Sequence, residues 1–146
     1  MTEKKKRLSD HFWQKEFDCQ CGCGLEFVVH KSLLVLLENI RVALKSPLII
    51  TSGARCEKHN LSVGGSPNSW HVPRAGKWGP GILYASDIRS SGSVSAANRI
   101  ETLKLYTLAN LSRAQGLGLY PRRIHVDMRP TKIRALWIHD SWKWDL

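Results

Sequence analysis

The segment KSLLVLLENIRVALK, residues 31–45, restricts the possible folds more than any other feature of the sequence. Its apolar side chains recur every three or four residues, the spacing that gathers them along one side of an α-helix. Ser46-Pro47 follows directly, and the helix is predicted to end there because the residue before a proline disfavours helical backbone. The predicted apolar face consists of Leu33, Leu36, Leu37, Ile40, Ala43 and Leu44.

Strands and helices are predicted in mixed order around this helix. Leu48–Ser52 is short and rich in β-branched residues, which favours a core strand. The other predicted elements are a helical turn at 8–12, a turn or hairpin at 18–27, a loop over 57–81, a strand at 82–88, a helix at 94–114, a hairpin from 116–120 to 123–128, and a strand at 135–139. The predicted apolar face of the second helix holds Val94, Ala97, Ile100, Leu103, Leu108 and Leu111. This order indicates an α+β fold.

The chain has the size and charge of one basic domain. Its 146 residues suit a single core, and we predict one domain over 8–146 after a basic, disordered leader at 1–7. The net charge of +10 favours a polyanionic partner, and nucleic acid, teichoic acid, anionic lipid and peptidoglycan carboxylates all qualify. Because no apolar run reaches the ~18 residues of a membrane span and no signal peptide is recognisable, we expect synthesis in the cytoplasm.

Four cysteines, Cys19, Cys21, Cys23 and Cys56, leave three possibilities open. In a reducing cytoplasm, closely spaced cysteines are thiols or metal ligands more often than disulfides. The Cys-x-Cys-x-Cys spacing is tighter than in ordinary zinc knuckles, which counts against a shared metal. A disulfide between Cys56 and one of the other three is the alternative in an oxidising space.

Three polar residues at predicted strand or loop edges are able to bind a metal. His71 ends a loop rich in glycine and serine, Asp87 lies late in an apolar strand, and His125 alternates with apolar residues. Two imidazoles and one carboxylate, with a water in the fourth position, form a common catalytic zinc set. Zinc suits hydrolysis because it polarises the scissile carbonyl and lowers the pKa of its water. The alternative is a structural role for each residue, with Asp87 paired to Arg55 or Arg89.

A series of segments in fixed order covers most of the chain. It comprises Leu8–Phe12 with Glu16-Phe17, Cys19–Gly24, Pro47–Cys56, Asn60 with Gly64-Gly65, Ser69–His71, Ala85–Ile88, Ile124–Arg129 and Trp137. In this order the segments resemble the zinc D-alanyl-D-alanine carboxypeptidase family, which includes phage L-alanyl-D-glutamate endolysins and VanX-type dipeptidases. The resemblance implies a hedgehog-like metal-binding fold, with a small, mainly antiparallel sheet packed against two or three helices.

The resemblance also implies roles for individual residues. His71, Asp87 and His125 match the three zinc ligands of the family. Arg55 matches the arginine that holds a substrate carbonyl or carboxylate, a task that suits its planar guanidinium. Ser69 matches a serine that hydrogen-bonds the substrate.

The chain departs from the family pattern in two places. Sixteen positions separate His71 from Asp87 (87 − 71), more than in relatives, so residues 72–86 contain an insertion that either flanks the cleft or forms a surface loop. Arg122 stands where many relatives carry an acidic general base, and an arginine accepts no proton near neutral pH. Asp127 is the nearest acidic substitute, either as the catalytic base or as a residue that orients a zinc ligand.

The C-terminal region carries aromatic residues whose role the sequence leaves open. For Trp137, Trp142 and Trp144 we predict core packing or a stapled tail, with sugar or peptide stacking as the alternative. His139 has no partner that the sequence identifies.

The resemblance predicts a zinc metallopeptidase that hydrolyses peptide bonds in bacterial peptidoglycan, as a carboxypeptidase or as an endopeptidase such as a phage endolysin. The expected cofactor is Zn²⁺, and the expected partners are peptidoglycan stem peptides and anionic wall polymer. We expect a monomer without specific nucleic-acid binding that acts on the wall after release from the cytoplasm. One alternative is a non-catalytic, zinc-containing wall-binding or phage structural module. Another is a nucleic-acid-binding protein whose cysteines form a zinc knuckle.

Overall fold

A computed structural model describes residues 5–75, 80–92 and 98–140 of the chain. The strands in these ranges are β1 (Phe27–Val29), β2 (Leu48–Ser52), β3 (Arg74–Ala75), β4 (Gly81–Leu83), β5 (Ala85–Ser90), β6 (Gly116–Leu119), β7 (Ile124–Asp127) and β8 (Ala135–Ile138). The α-helices are α1 (Lys31–Leu44), α2 (Glu57–Ser62) and α3 (Asn98–Leu111). The predicted α+β class, with a mainly antiparallel sheet packed against helices, is confirmed.

The main sheet has the strand order β2-β5-β7-β6-β8. Its neighbouring strands are antiparallel, except for β6 and β8, which run parallel. The pairing of β6 with β7 confirms the hairpin predicted from 116–120 to 123–128. The order places β5, β7 and β6, which are buried along nearly their whole length, at the centre of the sheet.

The apolar pattern of α1 predicts its position well. His30 begins the helix, since its ring accepts a hydrogen bond from the Ser32 backbone N–H (3.1 Å), and Lys45 ends it in a left-handed conformation (φ 56°). The buried residues are Leu33, Leu36, Leu37, Ile40 and Leu44. Ala43, predicted to share this face, is exposed because it lies at the edge of the stripe, about 80° from its middle around the helix axis.

The apolar face predicted for α3 is wrong in part, since Leu103 and Leu108 are partly buried against the core but two other members are not. Ile100 and Leu111 are exposed (74% and 72%), and Val94 and Ala97 lie outside the described residues. The fully buried residues of the helix are Thr102, Leu105 and Ala109, so the side that faces the core is rotated from the predicted one. A buried threonine is tolerated there because its hydroxyl donates a hydrogen bond to the Pro121 carbonyl (3.4 Å).

The insertion between His71 and Asp87 forms part of a second, smaller sheet with the order β1-β4-β3. The strand predicted at 82–88 is divided at Tyr84 into β4 and β5, which belong to different sheets. The division arises because the Leu83 carbonyl accepts a hydrogen bond from His30 (2.9 Å), whereas the Tyr84 carbonyl accepts one from Met128 (3.0 Å). The prediction of a loop over 57–81 is therefore wrong in part, since this stretch contains α2, β3 and the start of β4.

The helical turn predicted at 8–12 is also wrong, and a 3-10 helix lies just beyond it at Gln14–Phe17. The Ser9 hydroxyl and the His11 backbone N–H both donate to Glu38 of α1 (2.6 and 2.8 Å), so the groups that would cap a turn are used for packing on α1. Of the predicted leader, residues 1–4 lie outside the described residues. The Lys6 carbonyl accepts a hydrogen bond from Gln14 (2.8 Å).

The hydrophobic core lies between the main sheet and the helices α1 and α3. Alternate residues of β5, β6 and β7 contribute to it, among them Ile88, Leu117, Leu119, Ile124 and Val126. The residues between them face away from the helices and include the polar side chains of Asp87, His125 and Asp127. Within the described ranges, every helix is too short or too polar to cross a membrane.

Candidate metal centre

The face of the main sheet that points away from the helices carries two of the predicted ligands. Asp87 of β5 is the direct cross-strand partner of His125 of β7, and His125 is in turn the partner of Gly118 of β6. Side chains of such partners lie on the same face, about 4.5–5.5 Å apart at their Cβ atoms. The strand register alone therefore brings the Asp87 carboxylate beside the His125 ring.

His71 reaches the same place from the loop between α2 and β3. Two hydrogen bonds tie it to the segment after β2: its ring Nδ1 bonds the Gly53 carbonyl (2.7 Å), and its own carbonyl accepts from the Arg55 backbone N–H (2.8 Å). The residue is only 2% exposed. A loop residue held in this way is as fixed in position as one on a strand.

Three side-chain atoms converge at this point with the spacing of a metal site. The separations are 3.1 Å from His71 Nε2 to Asp87 Oδ1, 3.1 Å from His71 Nε2 to His125 Nδ1, and 3.2 Å from His125 Nδ1 to Asp87 Oδ1. In a tetrahedral zinc site with bonds of ~2.0–2.1 Å, the ligand atoms lie about 3.3 Å apart. The structure thus brings together the three residues predicted as ligands, in an arrangement that fits zinc.

Hydrogen bonds on the outer side of each ring leave the inner nitrogens free to bind a metal. In His71, Nδ1–H donates to Gly53, so the lone pair is on Nε2. In His125, Nε2–H donates to Asp127 Oδ2 (2.7 Å), so the lone pair is on Nδ1. Partners of this kind orient the ring and select the tautomer that binds a metal.

Electrostatics in the cluster favour an ionised carboxylate between two imidazoles. Burial alone would raise the pKa of Asp87, but the rings of His71 and His125 hold it well below its usual range. Burial lowers the pKa of His71, so its ring is neutral near pH 7. Burial likewise opposes a charge on His125, but its hydrogen bonds to Asp127 and Asp87 raise its pKa. A metal ion therefore competes with a proton on His125.

Asp127 lies behind His125 rather than in front of it. Its side chain is fully buried, and besides His125 it accepts two hydrogen bonds from the Arg129 guanidinium (2.8 and 2.6 Å) and one from the Arg129 backbone N–H (3.0 Å). Burial would raise the pKa of Asp127, but these bonds from Arg129 and His125 hold it far below its usual range. Of the two roles predicted for Asp127, this geometry favours the one that orients a ligand.

The outer oxygen of Asp87 faces two arginines. Arg55, predicted to bind substrate, lies 3.2 Å from Asp87 Oδ2 and is held further by Ser52 (3.0 Å) and Asn60 (3.3 Å). Arg123 Nε lies 3.5 Å from the same oxygen, and its side chain is 44% exposed. No role was predicted for Arg123 because its pairing with Asp87 depends on the β5–β7 register and not on the sequence near it.

A cleft of about 640 Å³ opens above the three ligand atoms. Ser69, predicted to bind substrate, lines it, and its hydroxyl oxygen accepts a hydrogen bond from the His71 backbone N–H (3.2 Å). The remaining polar and aromatic wall residues include Asn68, Trp70, Tyr120, Arg123, Arg129, Trp137 and His139. The volume suits a peptide-sized ligand.

One wall of the cleft is aromatic and comes from β8 and the β6–β7 turn. The Trp137 ring lies 5.0 Å from the His125 ring, and its Nε1–H donates to the Tyr120 hydroxyl (3.2 Å). His139 stacks on Tyr120 (4.8 Å). Trp137 has this place because its cross-strand partner is Gly118, where a Cβ would come within 2.3 Å of the Trp137 ring. This position in the cleft agrees with the stacking alternative predicted for Trp137; Trp142 and Trp144 lie outside the described residues.

The insertion touches this cleft, as one of its two predicted alternatives requires. The Arg74 guanidinium of β3 lies 4.4 Å from the ring centre of Trp70, which lines the cleft. Trp70 also meets Tyr84 edge-on (5.8 Å), at the junction of β4 and β5. The described part of the insertion thus supports one rim of the cleft.

A comparison with known protein families gives a match that covers most of the chain. The family model described as Peptidase M15 matches residues 10–127. This span contains all three candidate ligands and also Arg55, Ser69 and Asp127. No curated protein and no solved structure is matched. The matched span covers most of the chain and agrees with the resemblance read from its segments. The chain therefore belongs to the Peptidase M15 family.

Proposed function

We propose that this chain is a zinc metallopeptidase that hydrolyses peptide bonds in the stem peptides or cross-bridges of bacterial peptidoglycan. The observation that carries the proposal is the set of three metal-binding atoms, from His71, Asp87 and His125, at the floor of a cleft lined by arginines. These three residues would hold the ion. Membership of the M15 family supports metallopeptidase activity. The peptidoglycan substrate is what we propose in addition.

When bound, zinc polarises a scissile carbonyl and lowers the pKa of a water molecule to near neutral. The residues of the chain would bind and orient the substrate beside it. Arg55 and Arg123 offer guanidinium N–H groups to a peptide carbonyl or carboxylate. The Ser69 hydroxyl oxygen already accepts from His71, so its own hydrogen is available to the substrate.

Positive charge in and around the cleft favours an anionic substrate. Arg55, Arg123 and Arg129 line it, and Asp87 is the one carboxylate among the described lining residues. The whole chain carries a net charge of +10. Stem peptides bear free carboxylates within an anionic wall. The positive charge of the cleft and that of the whole chain would therefore both concentrate the enzyme on this polymer. We propose that the chain is made in the cytoplasm and acts as a monomer after release, as a phage endolysin does.

We assign the proton acceptor of the proposed reaction to His139. Asp127 is buried behind His125, and Arg122 and Arg123 accept no proton near neutral pH. Among the described residues that line the cleft, His139 is the one histidine outside the three ligands, and histidine is the side chain that most often serves as a general base. Its stacking on Tyr120 holds the ring at the cleft wall.

The test is the digestion of purified cell walls by the zinc-loaded protein. We expect new free amino groups to appear, EDTA to stop their release, and His125→Ala to abolish it. His11→Ala is the matched control, since His11 pairs with Glu38 outside the cleft (2.7 Å) and its loss leaves the cleft intact. Mass spectrometry of the products identifies the bond, because a carboxypeptidase frees a terminal amino acid and an endopeptidase frees a longer peptide.

Two results would overturn the proposal. Undiminished release by His125→Ala would show that the activity does not depend on this centre. Binding of one zinc ion at the centre, without release of amino groups from any wall, would instead indicate the non-catalytic wall-binding module. The absence of an acidic residue at Arg122 is the observation that favours this second candidate.

A further inference from the structure

The four cysteines of the chain come together at a second place, outside the cleft. The sulfurs of Cys19, Cys21, Cys23 and Cys56 all lie within 4.8 Å of one another. Sγ of Cys21 lies 3.4 Å from that of Cys19 and 3.7 Å from that of Cys56. All four are free thiols. Clustering of every cysteine in the chain, across 37 residues from Cys19 to Cys56, requires an explanation.

The chain reaches this arrangement by turning at two glycines. In an extended Cys-x-Cys-x-Cys segment the three side chains would share a face, but Cys19 and Cys23 would lie about 13 Å apart, too far to bind one ion. Here Gly22 and Gly24 have positive φ values (75° and 71°), and the Gly22 N–H bonds the Cys19 carbonyl (3.2 Å). The segment is thus a turn, and the turn brings its three sulfurs within 4.8 Å of one another.

The spacing of the sulfurs matches a tetrahedral thiolate site. With zinc–sulfur bonds of ~2.3 Å, the sulfurs of such a site lie about 3.8 Å apart. Two backbone N–H groups also point at the cluster: that of Cys56 donates to Cys19 Sγ (3.4 Å), and that of His59 to Cys56 Sγ (3.3 Å). Hydrogen bonds of this kind stabilise thiolates, the form in which cysteine binds a metal.

We propose that Cys19, Cys21, Cys23 and Cys56 bind a second metal ion, a zinc ion with a structural role. Four protein ligands fill a tetrahedral shell, so this site has no open position for water or substrate, in contrast to the three-ligand centre in the cleft. The proposal stands on the cysteine geometry and does not depend on the proposed peptidase activity.

The ion would fasten the cysteine turn to the segment that positions the cleft residues. Around the cluster, the Gln20 side chain donates to the Thr51 carbonyl (2.6 Å), and Ala54 N–H donates to the Phe17 carbonyl (2.8 Å). Cys56 follows Arg55 directly in the chain. Loss of the ion would free the 53–56 segment, whose Gly53 carbonyl orients His71 and whose Arg55 holds Asp87.

Metal content of the purified protein tests the proposal. Protein made in zinc-containing medium and measured by plasma mass spectrometry is expected to hold about two zinc ions per chain. We expect Cys21→Ser with Cys23→Ser to reduce this to about one, and His71→Ala with His125→Ala to reduce it to about one as well. The two double variants are controls for each other, since each removes ligands of one site alone.

Cobalt substitution identifies the ligands that remain. In the His71→Ala, His125→Ala variant, Co²⁺ is expected to give thiolate-to-cobalt charge-transfer absorption, which histidine and carboxylate ligands do not produce. This variant keeps all four cysteines, so the measurement tests whether they bind a metal ion even if the cysteine variant fails to fold.

Three results would overturn the second site. One is a His71→Ala, His125→Ala variant that folds but binds no metal. Another is cobalt absorption without the thiolate band. The third is native mass spectrometry of protein purified without oxidants that shows no bound metal and a mass lower by two or four hydrogens, which would show that the cysteines form disulfides. If the parent protein holds two zinc ions but does not hydrolyse cell walls, the proposed function is contradicted and the second metal site is not.

Discussion

The Asp127 carboxylate is fully buried and accepts hydrogen bonds from His125 and Arg129. Replacement by Asn puts an NH₂ group where a carboxylate oxygen now accepts from Arg129 or His125, so one of these donors loses its acceptor. We expect Asp127→Asn to weaken zinc binding at the cleft by about 10–100-fold, as for other residues that orient a metal-bound histidine. Competition with a chromogenic chelator measures the affinity.

The same variant distinguishes positioning from proton transfer. If Asp127 were the catalytic base, Asp127→Asn would bind zinc normally and lose kcat alone. Asp10→Asn is the control, since Asp10 is an aspartate with a side chain 90% exposed. Unchanged zinc affinity in Asp127→Asn would refute the positioning role.

His139 is expected to show the opposite pattern. His139→Gln keeps a polar side chain of similar reach but accepts no proton, so kcat on wall peptides should fall by about 10²–10⁴-fold, the usual contribution of a general base. Zinc affinity should be unchanged, because His139 lines the cleft without belonging to the three-ligand set. His11→Gln serves as the matched control. A variant with full kcat would exclude His139 as the proton acceptor.

At the level of elements, β6 supports the metal centre because Gly116 has no side chain and so leaves room for Asp127. A Cβ on Gly116 would lie 2.1 Å from Asp127 Oδ2, and that oxygen cannot move aside because Arg129 and His125 hold it. Gly116→Ala should therefore reduce the free energy of unfolding by about 1–3 kcal/mol and weaken zinc binding. Urea denaturation of the zinc-free and zinc-loaded forms measures both effects.

Gly92 provides the control for this prediction. It lies just after β5, and a Cβ there would meet nothing within 4 Å. Gly92→Ala should consequently leave stability and zinc affinity close to those of the parent chain. Equal behaviour of the two alanine variants would mean that β6 yields to the added methyl group.

At the level of the whole molecule, the free energy of unfolding should decrease as the pH falls below about 4. Asp87 and Asp127 have folded pKa values below the ordinary aspartate value of 3.8, so the native state binds fewer protons than the unfolded state when the pH falls past that value. Their contribution is present above about pH 4 and is lost as the pH falls through their folded pKa values. The pKa of His71 is lowered and that of His125 is raised, so the two histidines change the free energy of unfolding in opposite directions near pH 6.5.

For the metal-free protein, we therefore expect the free energy of unfolding to fall steeply below pH 4. Asp127→Asn should remove a part of this dependence on the order of 2 kcal/mol between pH 5 and pH 2. Chemical denaturation at a series of pH values in the presence of EDTA gives the curve. Parallel curves for the two proteins would show that Asp127 does not contribute to it.

The sequence by itself determined the elements with strong local patterns. The apolar spacing of α1 and the proline after it predicted that helix to within a residue, and the β6–β7 hairpin followed from two apolar runs around a short turn. The ordered series of segments was enough to identify the family and to select His71, Asp87 and His125 as candidate ligands. These features can be read locally because the residues that specify them are neighbours in the chain.

Only the tertiary structure decided how distant residues meet. The β5–β7–β6 register sets Asp87 beside His125 and leaves a gap at Gly118 for Trp137. Two left-handed glycines bring three cysteines to Cys56, although extended spacing would have separated them. Asp127 lies behind its histidine because Arg129 and the gap at Gly116 hold it there. Such contacts depend on strand register and on single backbone angles, and neither is encoded in the spacing of residues along the chain.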